Sequence, residues 1–204
     1  MEPFRTEIYK GYIAKIYFDP EPPNPRTEWD NVGTMVCFHK KYILGDKTKV
    51  TKEELRELVK RDDVLALPLY LYDHGGLAMR TGKFPQDSGG WDTSMVGYIY
   101  MEYSTILKEL TVQEIPPELL DRARGMLESE VQTYDDYLTG QVFSYRIESP
   151  YGEEIHKDWG FFGDDGEKEM KSQYEFMIDS TIEMDTISTA EVRAIEWGDC
   201  EMET

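Results

Sequence analysis

The chain is poor in the residues that most often define a fold or a reaction by themselves. It has only two cysteines, Cys37 and Cys200, in 204 residues, too few for a disulfide framework or a paired-cysteine zinc site. Cys37 lies in the apolar run at 35–38 and is expected to be a buried small hydrophobe. A reducing cytoplasm fits this usage. The three histidines, His39, His74 and His156, form no HExxH pair. No apolar run approaches the roughly 20 residues needed to cross a bilayer, so no membrane span is expected. The opening MEPFRTEIYKGY carries an acid at position 2 and no apolar stretch, and is not expected to be a signal peptide.

Positive charge is scarce as well. Lys and Arg number 22 against 41 Asp and Glu, for a net charge of −19. Phosphate backbones and anionic membrane surfaces demand clustered Lys and Arg. Direct nucleic-acid binding and membrane association are therefore not expected. The excess is uneven: residues 163–204 hold 13 acids and 3 bases. A basic protein partner fits such a surface, although plain solubility would also account for it.

What is present is enough for a core, with 40% hydrophobic and 13% aromatic residues. Residues 6–18, rich in β-branched and aromatic side chains, read as a strand, and the proline-punctuated segment 19–25 as a loop. Residues 33–42 read as a second strand. Thr51 followed by Glu54 is a capping box opening a short helix with Leu55 and Leu58 on one face. In 64–72, Leu65, Leu67, Leu69 and Leu71 alternate as in a half-buried strand, and Pro68 calls for an edge or a bulge because it has no N–H to donate. Short strands follow at 77–81 and 95–101. Pro116 and Pro117 open the clearest helix, with apolar steps at Leu120, Ala123, Leu127, Val131, Tyr134 and Leu138, ending at Gly140. A hairpin at 142–162, a helix around Met170–Ile178 and a final strand around Val192, Ile195 and Trp197 complete the reading. Strands and helices do not alternate regularly. The expected class is α+β, a largely antiparallel sheet with two or three helices packed on one face. Residues 1–162 would form the core domain, with 163–204 adding an acidic helix and strand to it.

The chemistry on offer is conditional. LYLYDHGGL at 69–77 is a strand running into a Gly-Gly turn, yet it places Asp73 beside His74. Asp92, in the Gly-rich loop at 82–94, is the natural partner if that loop folds back. Asp73, His74 and Asp92, with His39, would suffice for a divalent cation or for His74 as general base. The Asp–His pair alone lacks a nucleophile, for which the stretch Trp91-Asp-Thr-Ser94 is a candidate source; no phosphate loop is present, and no cofactor is expected. Downstream, Lys171, Glu175, Asp179 and Glu183 recur every four residues. On a helix they form a ridge with steps of about 6 Å. Rows of carboxylates of this kind imitate nucleic-acid phosphate and occupy basic clefts.

Four blocks carry a resemblance: DNVGTMVCFH at 30–39, LPLYLYDHGG at 67–76, Trp91-Asp92 with VGYIY at 96–100, and YDDYLTG at 134–140. Together they resemble an uncharacterised family of bacteriophages and mobile elements, with WGFFG at 159–163 as a further member of the pattern. The resemblance implies a phage setting and an infected bacterial cytoplasm, and brings no activity or catalytic residue with it. The leading expectation is a non-catalytic, phage-encoded acidic protein that binds and inhibits a basic host protein through Glu175, Asp179 and Glu183. The alternatives are a small metal-assisted hydrolase built on Asp73, His74 and Asp92, or a structural or regulatory phage protein.

Overall fold

The structure, a computed structural model, describes residues 1–87 and 89–198, with 187–198 described by backbone alone. The class is α+β; the described residues form eight strands in two antiparallel sheets, where one sheet was expected. The chain divides into two compact units, one formed by Met1–Pro22 with the chain from Val142 onward, the other by Pro23–Gln141. The expected division into 1–162 and 163–204 is not the one found. The reason is non-local pairing: the N-terminal hairpin finds its sheet partner more than a hundred residues later, which hydrophobic periodicity does not record.

The first unit is a sheet in the order β1 (Arg5–Tyr9), β2 (Tyr12–Phe18), β7 (Val142–Glu148), β8 (Glu154–Phe162), with α5 (Gly163–Gly198) packed on it. Residues 6–18 are therefore two strands. Lys10 and Gly11 turn the chain with φ of 49° and 87°, the backbone hand that joins twisted antiparallel strands. Lys10 hides the turn, because a non-glycine residue seldom adopts positive φ. Ala14 and Ile16 from β2, Tyr145 and Ile147 from β7, and Met170, Tyr174 and Ile178 from α5 make the core. The α5 residues recur every four positions, so one stripe of the helix faces the sheet. The strand expected around Val192 to Trp197 is instead helical, part of the same α5.

β1 meets α5 through polar groups. The Tyr174 hydroxyl donates to Glu7 at 2.6 Å, and Lys171 lies 3.3 Å from the same oxygen. Arg5 pairs with Glu167 at 2.6 Å. Lys10 pairs with Asp179 at 2.8 Å, and the Tyr9 hydroxyl reaches Asp179 at 3.4 Å. The Tyr174 hydrogen bond, outweighing partial burial, holds the Glu7 carboxyl below its usual range.

The second unit is a sheet in the order β3 (Thr34–Cys37), β6 (Thr93–Glu102), β4 (Val64–Asp73), β5 (Leu77–Arg80). Four helices accompany it: α1 (Pro25–Glu28), α2 (Lys52–Leu58), α3 (Tyr103–Glu109) and α4 (Pro117–Thr139). Leu65, Leu67, Leu69 and Leu71 of β4 are all buried, with Ala123, Leu127, Val131 and Tyr134 of α4 in the same core. The α2 capping box forms as its sequence requires. Pro68 is accommodated by geometry: β4 is interior, but β5 pairs only with Tyr70–Asp73, leaving the Pro68 side unpaired, and a bulge follows at Leu69/Tyr70. The short helices α1 and α3 have no strong periodic signal and were not expected. Pro25, read as loop, occupies the first turn of α1, capped by Asn24.

The best-satisfied interaction in this unit is at Arg26, whose side chain is 1% exposed. Nε and Nη2 donate to the two oxygens of Asp46, each at 2.8 Å. Nη1 donates to Glu130 at 2.7 Å and Asn31 at 3.0 Å, and Nη2 to the Gly33 carbonyl at 2.7 Å. The acceptors are secured in turn: Glu130 takes the N–H groups of Val32 and Gly33, and Asp46 that of Met35. A buried pair broken on one side leaves uncompensated charge, so Arg26→Ala is expected to cost about 3–5 kcal/mol, measured by urea denaturation. A loss near zero would show that the carboxylates reach water without it.

Gly97 supplies a second check. A Cβ there would lie 1.9 Å from the Val36 carbonyl oxygen across the β3–β6 ladder. Gly97→Ala should force β3 away from β6 and lower the midpoint of the same urea transition. An unshifted midpoint would show that the ladder relaxes freely.

Candidate functional site

The Asp73-His74 stretch and the Trp91-Asp92 loop meet at one end of the second unit's sheet. β4 and β5 are joined by His74, Gly75 and Gly76, with Asp73 opposite Leu77. The loop from β5 to β6 does fold back. Its Asp87 carboxylate accepts the N–H groups of Trp91 and Asp92, both at 3.0 Å, which fixes the return of the chain. The Asp92 carbonyl then accepts the Asp73 N–H at 3.0 Å, and the Asp92 carboxylate stands 3.1 Å from His74 Nδ1.

Asp73 does not join that pair. Its carboxylate accepts the Tyr42 hydroxyl at 3.2 Å and lies 3.6 Å from Lys41 Nζ. Asp73 ends β4 while His74 begins the turn, and their side chains meet different partners. Among the described residues no group of three His, Cys, Asp or Glu side chains is placed to hold a metal ion. The expected Asp73, His74, Asp92 metal constellation is thus not assembled, nor is His39 brought to it. His39 stacks on Tyr42 with ring centroids 5.1 Å apart. Its Nδ1 accepts the N–H groups of Lys41 and Tyr42, which leaves Nε2 to carry the ring proton. His156 sits in β8 of the other unit, against Tyr145.

The His74–Asp92 pair has the arrangement of an oriented base, with a carboxylate fixing one ring nitrogen. His74 is however 69% exposed, and among the described residues no hydroxyl or thiol is hydrogen-bonded to it. Cys37 is no candidate nucleophile, because burial pushes its thiol up to about 12. Cys200 lies outside the described residues.

The other expected site is on α5. Glu175, Asp179 and Glu183 lie at four-residue spacing on one continuous helix. The ridge is not uniform. Asp179 is tied to Lys10 and Tyr9, so its charge is largely neutralised within the unit. Glu175 and Glu183 have no ion-pair partner among the described residues. Met170, Tyr174 and Ile178 turn toward the sheet, so Phe176 projects from the opposite side and is 67% exposed. Sequence reasoning passed over Phe176, because one aromatic within an amphipathic stretch reads as core. Arg26, Asp46 and Glu130 were also passed over, since partners 104 positions apart leave no local pattern. A lysine-rich segment, with Lys40, Lys41, Lys47, Lys49 and Lys52 against Asp46 alone, was legible as a local reversal of the overall charge.

Asp135 of α4 anchors the hairpin that carries His74. Its carboxylate accepts the Met79 N–H of β5 at 2.6 Å, while burial raises its pKa above the usual carboxylate range. The folded chain therefore holds this proton more tightly than the unfolded chain. The group favours folding below its unfolded pKa and costs stability as pH rises through the folded one. Asp135→Asn keeps an acceptor for Met79 and removes the charge. Its melting temperature should exceed the parent's at about pH 7, with the gap closing toward about pH 4; a gap independent of pH would refute this account.

Among the described residues no helix is long and apolar enough to cross a membrane. Compared with known proteins, the chain matches no protein-family model, no curated protein and no solved structure.

Proposed function

We propose that this is a non-catalytic binding protein, phage-encoded and acting in the infected bacterial cytoplasm, which engages and inhibits a basic host protein through the outward face of α5. The carrying observation is Phe176. It is a large apolar side chain held in water at the centre of a helix face that has Glu169 and Glu183 seven residues to either side. At about 1.5 Å per residue these carboxylates stand roughly 10 Å above and below the ring. An exposed aromatic framed by charge is the composition of an interface anchor with a polar rim. The carboxylates steer a basic partner and the ring is desolvated on docking. The phage setting is supported by the four sequence blocks.

The expected ridge of Glu175, Asp179 and Glu183 is modified in this reading. Asp179 serves the fold through Lys10, and Glu169, Glu175 and Glu183 present the charge. The test is capture of host proteins from bacterial lysate on the immobilised protein. A captured partner should be released as salt rises from about 0.05 to about 0.5 M, where screening shortens to a few ångströms. It should also be lost with Glu175→Lys plus Glu183→Lys and weakened by Phe176→Ala, with the melting temperature unchanged. Capture insensitive to salt and to all three substitutions would refute it.

One observation favours a second reading, a small hydrolase: the 3.1 Å contact of His74 Nδ1 with Asp92. In that reading His74 is the general base and Asp92 its orienting group, while Asp73 is withdrawn by Tyr42. Hydrolysis of a substrate panel that disappears with His74→Ala would favour it over the binding protein.

A further inference from the structure

The second unit contains a cavity of about 500 Å³ alongside β3 and the segment that follows it. Its walls include Phe38, Leu44 and Val50, and three lysines, Lys40, Lys47 and Lys52, line it as well. The lysines set the charge of this space. In a chain with a net charge of −19, Lys10, Arg26, Arg61 and Lys168 each have a carboxylate within 2.8 Å. Lys40, Lys47 and Lys52 have none among the described residues. The Lys52 ammonium instead stands 5.5 Å over the Phe38 ring, a cation–π contact that holds it at the cavity wall.

One carboxylate, Asp46, lines the same space, and its charge is already committed. Both its oxygens accept from Arg26, and one also accepts the Met35 N–H. The cavity is therefore cationic within a protein that is strongly anionic.

We propose that this cavity binds a small phosphate-bearing molecule of nucleotide size, its phosphates held by Lys40, Lys47 and Lys52 and its uncharged part against the apolar wall. Three separate ammonium groups are point-charge donors on flexible stems, suited to the several oxygens of a di- or triphosphate rather than to one planar carboxylate. The volume lies within the range of roughly 300–1,000 Å³ typical of small-molecule sites. A polynucleotide is disfavoured by charge. Within a Debye length of about 8–10 Å the three lysines govern the potential, but each further phosphate of a polymer meets the field of an acidic protein. The site belongs to the second unit and is independent of the α5 reading.

The test is calorimetric titration of the full chain with ATP, ADP, inorganic phosphate and a single-stranded oligonucleotide, at moderate salt. ATP and ADP should bind, inorganic phosphate more weakly, and the oligonucleotide no more tightly than ATP. Lys40→Gln and Lys47→Gln alter exposed side chains and leave the core intact. Each should weaken ATP binding by about tenfold, the loss of one charge-assisted contact, without a change in melting temperature. Glu183→Lys, in the other unit, should leave ATP binding unaltered, which separates this result from the fate of the α5 reading. Absence of ATP and ADP binding at millimolar concentration, ATP affinity in both lysine variants unchanged from the parent's, or tighter binding of phosphate alone or of the oligonucleotide would each overturn the proposal.

Discussion

The second unit depends on one buried guanidinium. Arg26 places all five of its N–H donors on acceptors from three stretches of chain: the turn at 31–33, Asp46 beyond β3, and Glu130 on α4. Removing such a charge from water costs several kcal/mol unless every donor is met, so the network is satisfied as a whole or is destabilising. Lysine cannot replace the planar fork that grips Asp46 through two parallel bonds. The same contact fixes the chain after β3, where Asp46 and Gly45 close back onto Met35 and Val36. The segment bearing His39, Tyr42 and the cavity lysines is therefore positioned by a charge buried below it.

Electrostatics divides the molecule in an orderly way. In the first unit the acids nearest β1 are used internally: Glu7, Glu167 and Asp179 each meet a cation, so α5 docks by polar contacts along the strand as well as by its apolar stripe. The carboxylates left over face outward around Phe176. In the second unit Arg26 absorbs the charge of Asp46, and Lys40, Lys47 and Lys52 have no counter-ion among the described residues. An opposite local potential thus arises inside a protein whose net charge would forbid it on average, because fields in salt solution are decided within about 10 Å.

The Asp–His stretch shows how tertiary structure apportions chemistry among adjacent residues. Asp73 and His74 are neighbours in sequence, but one ends the strand and the other begins the turn, and they meet different partners, Tyr42 and Asp92. Local spacing pointed to the returning loop and to the His74–Asp92 contact. It did not foresee that Tyr42, thirty-one positions away, would compete for Asp73.

Elements governed by short-range rules were legible from sequence. The Thr51–Glu54 cap, the alternating leucines of β4, the stripe of α4 and the hairpin at 142–162 each rest on contacts within a few residues or on a fixed period, and all are present. The α+β class followed from their order. Elements governed by distant partners were not legible: the second sheet, the Lys10–Gly11 turn, the helical continuation of α5 past residue 188, and the Arg26 network. By itself, then, the sequence determined the local structure, the acidic balance and the residues with reactive potential. Tertiary structure alone decided which acids are neutralised, which aromatic stands in water and which lysines share a cavity, because those outcomes depend on groups that approach one another only when the sheets close.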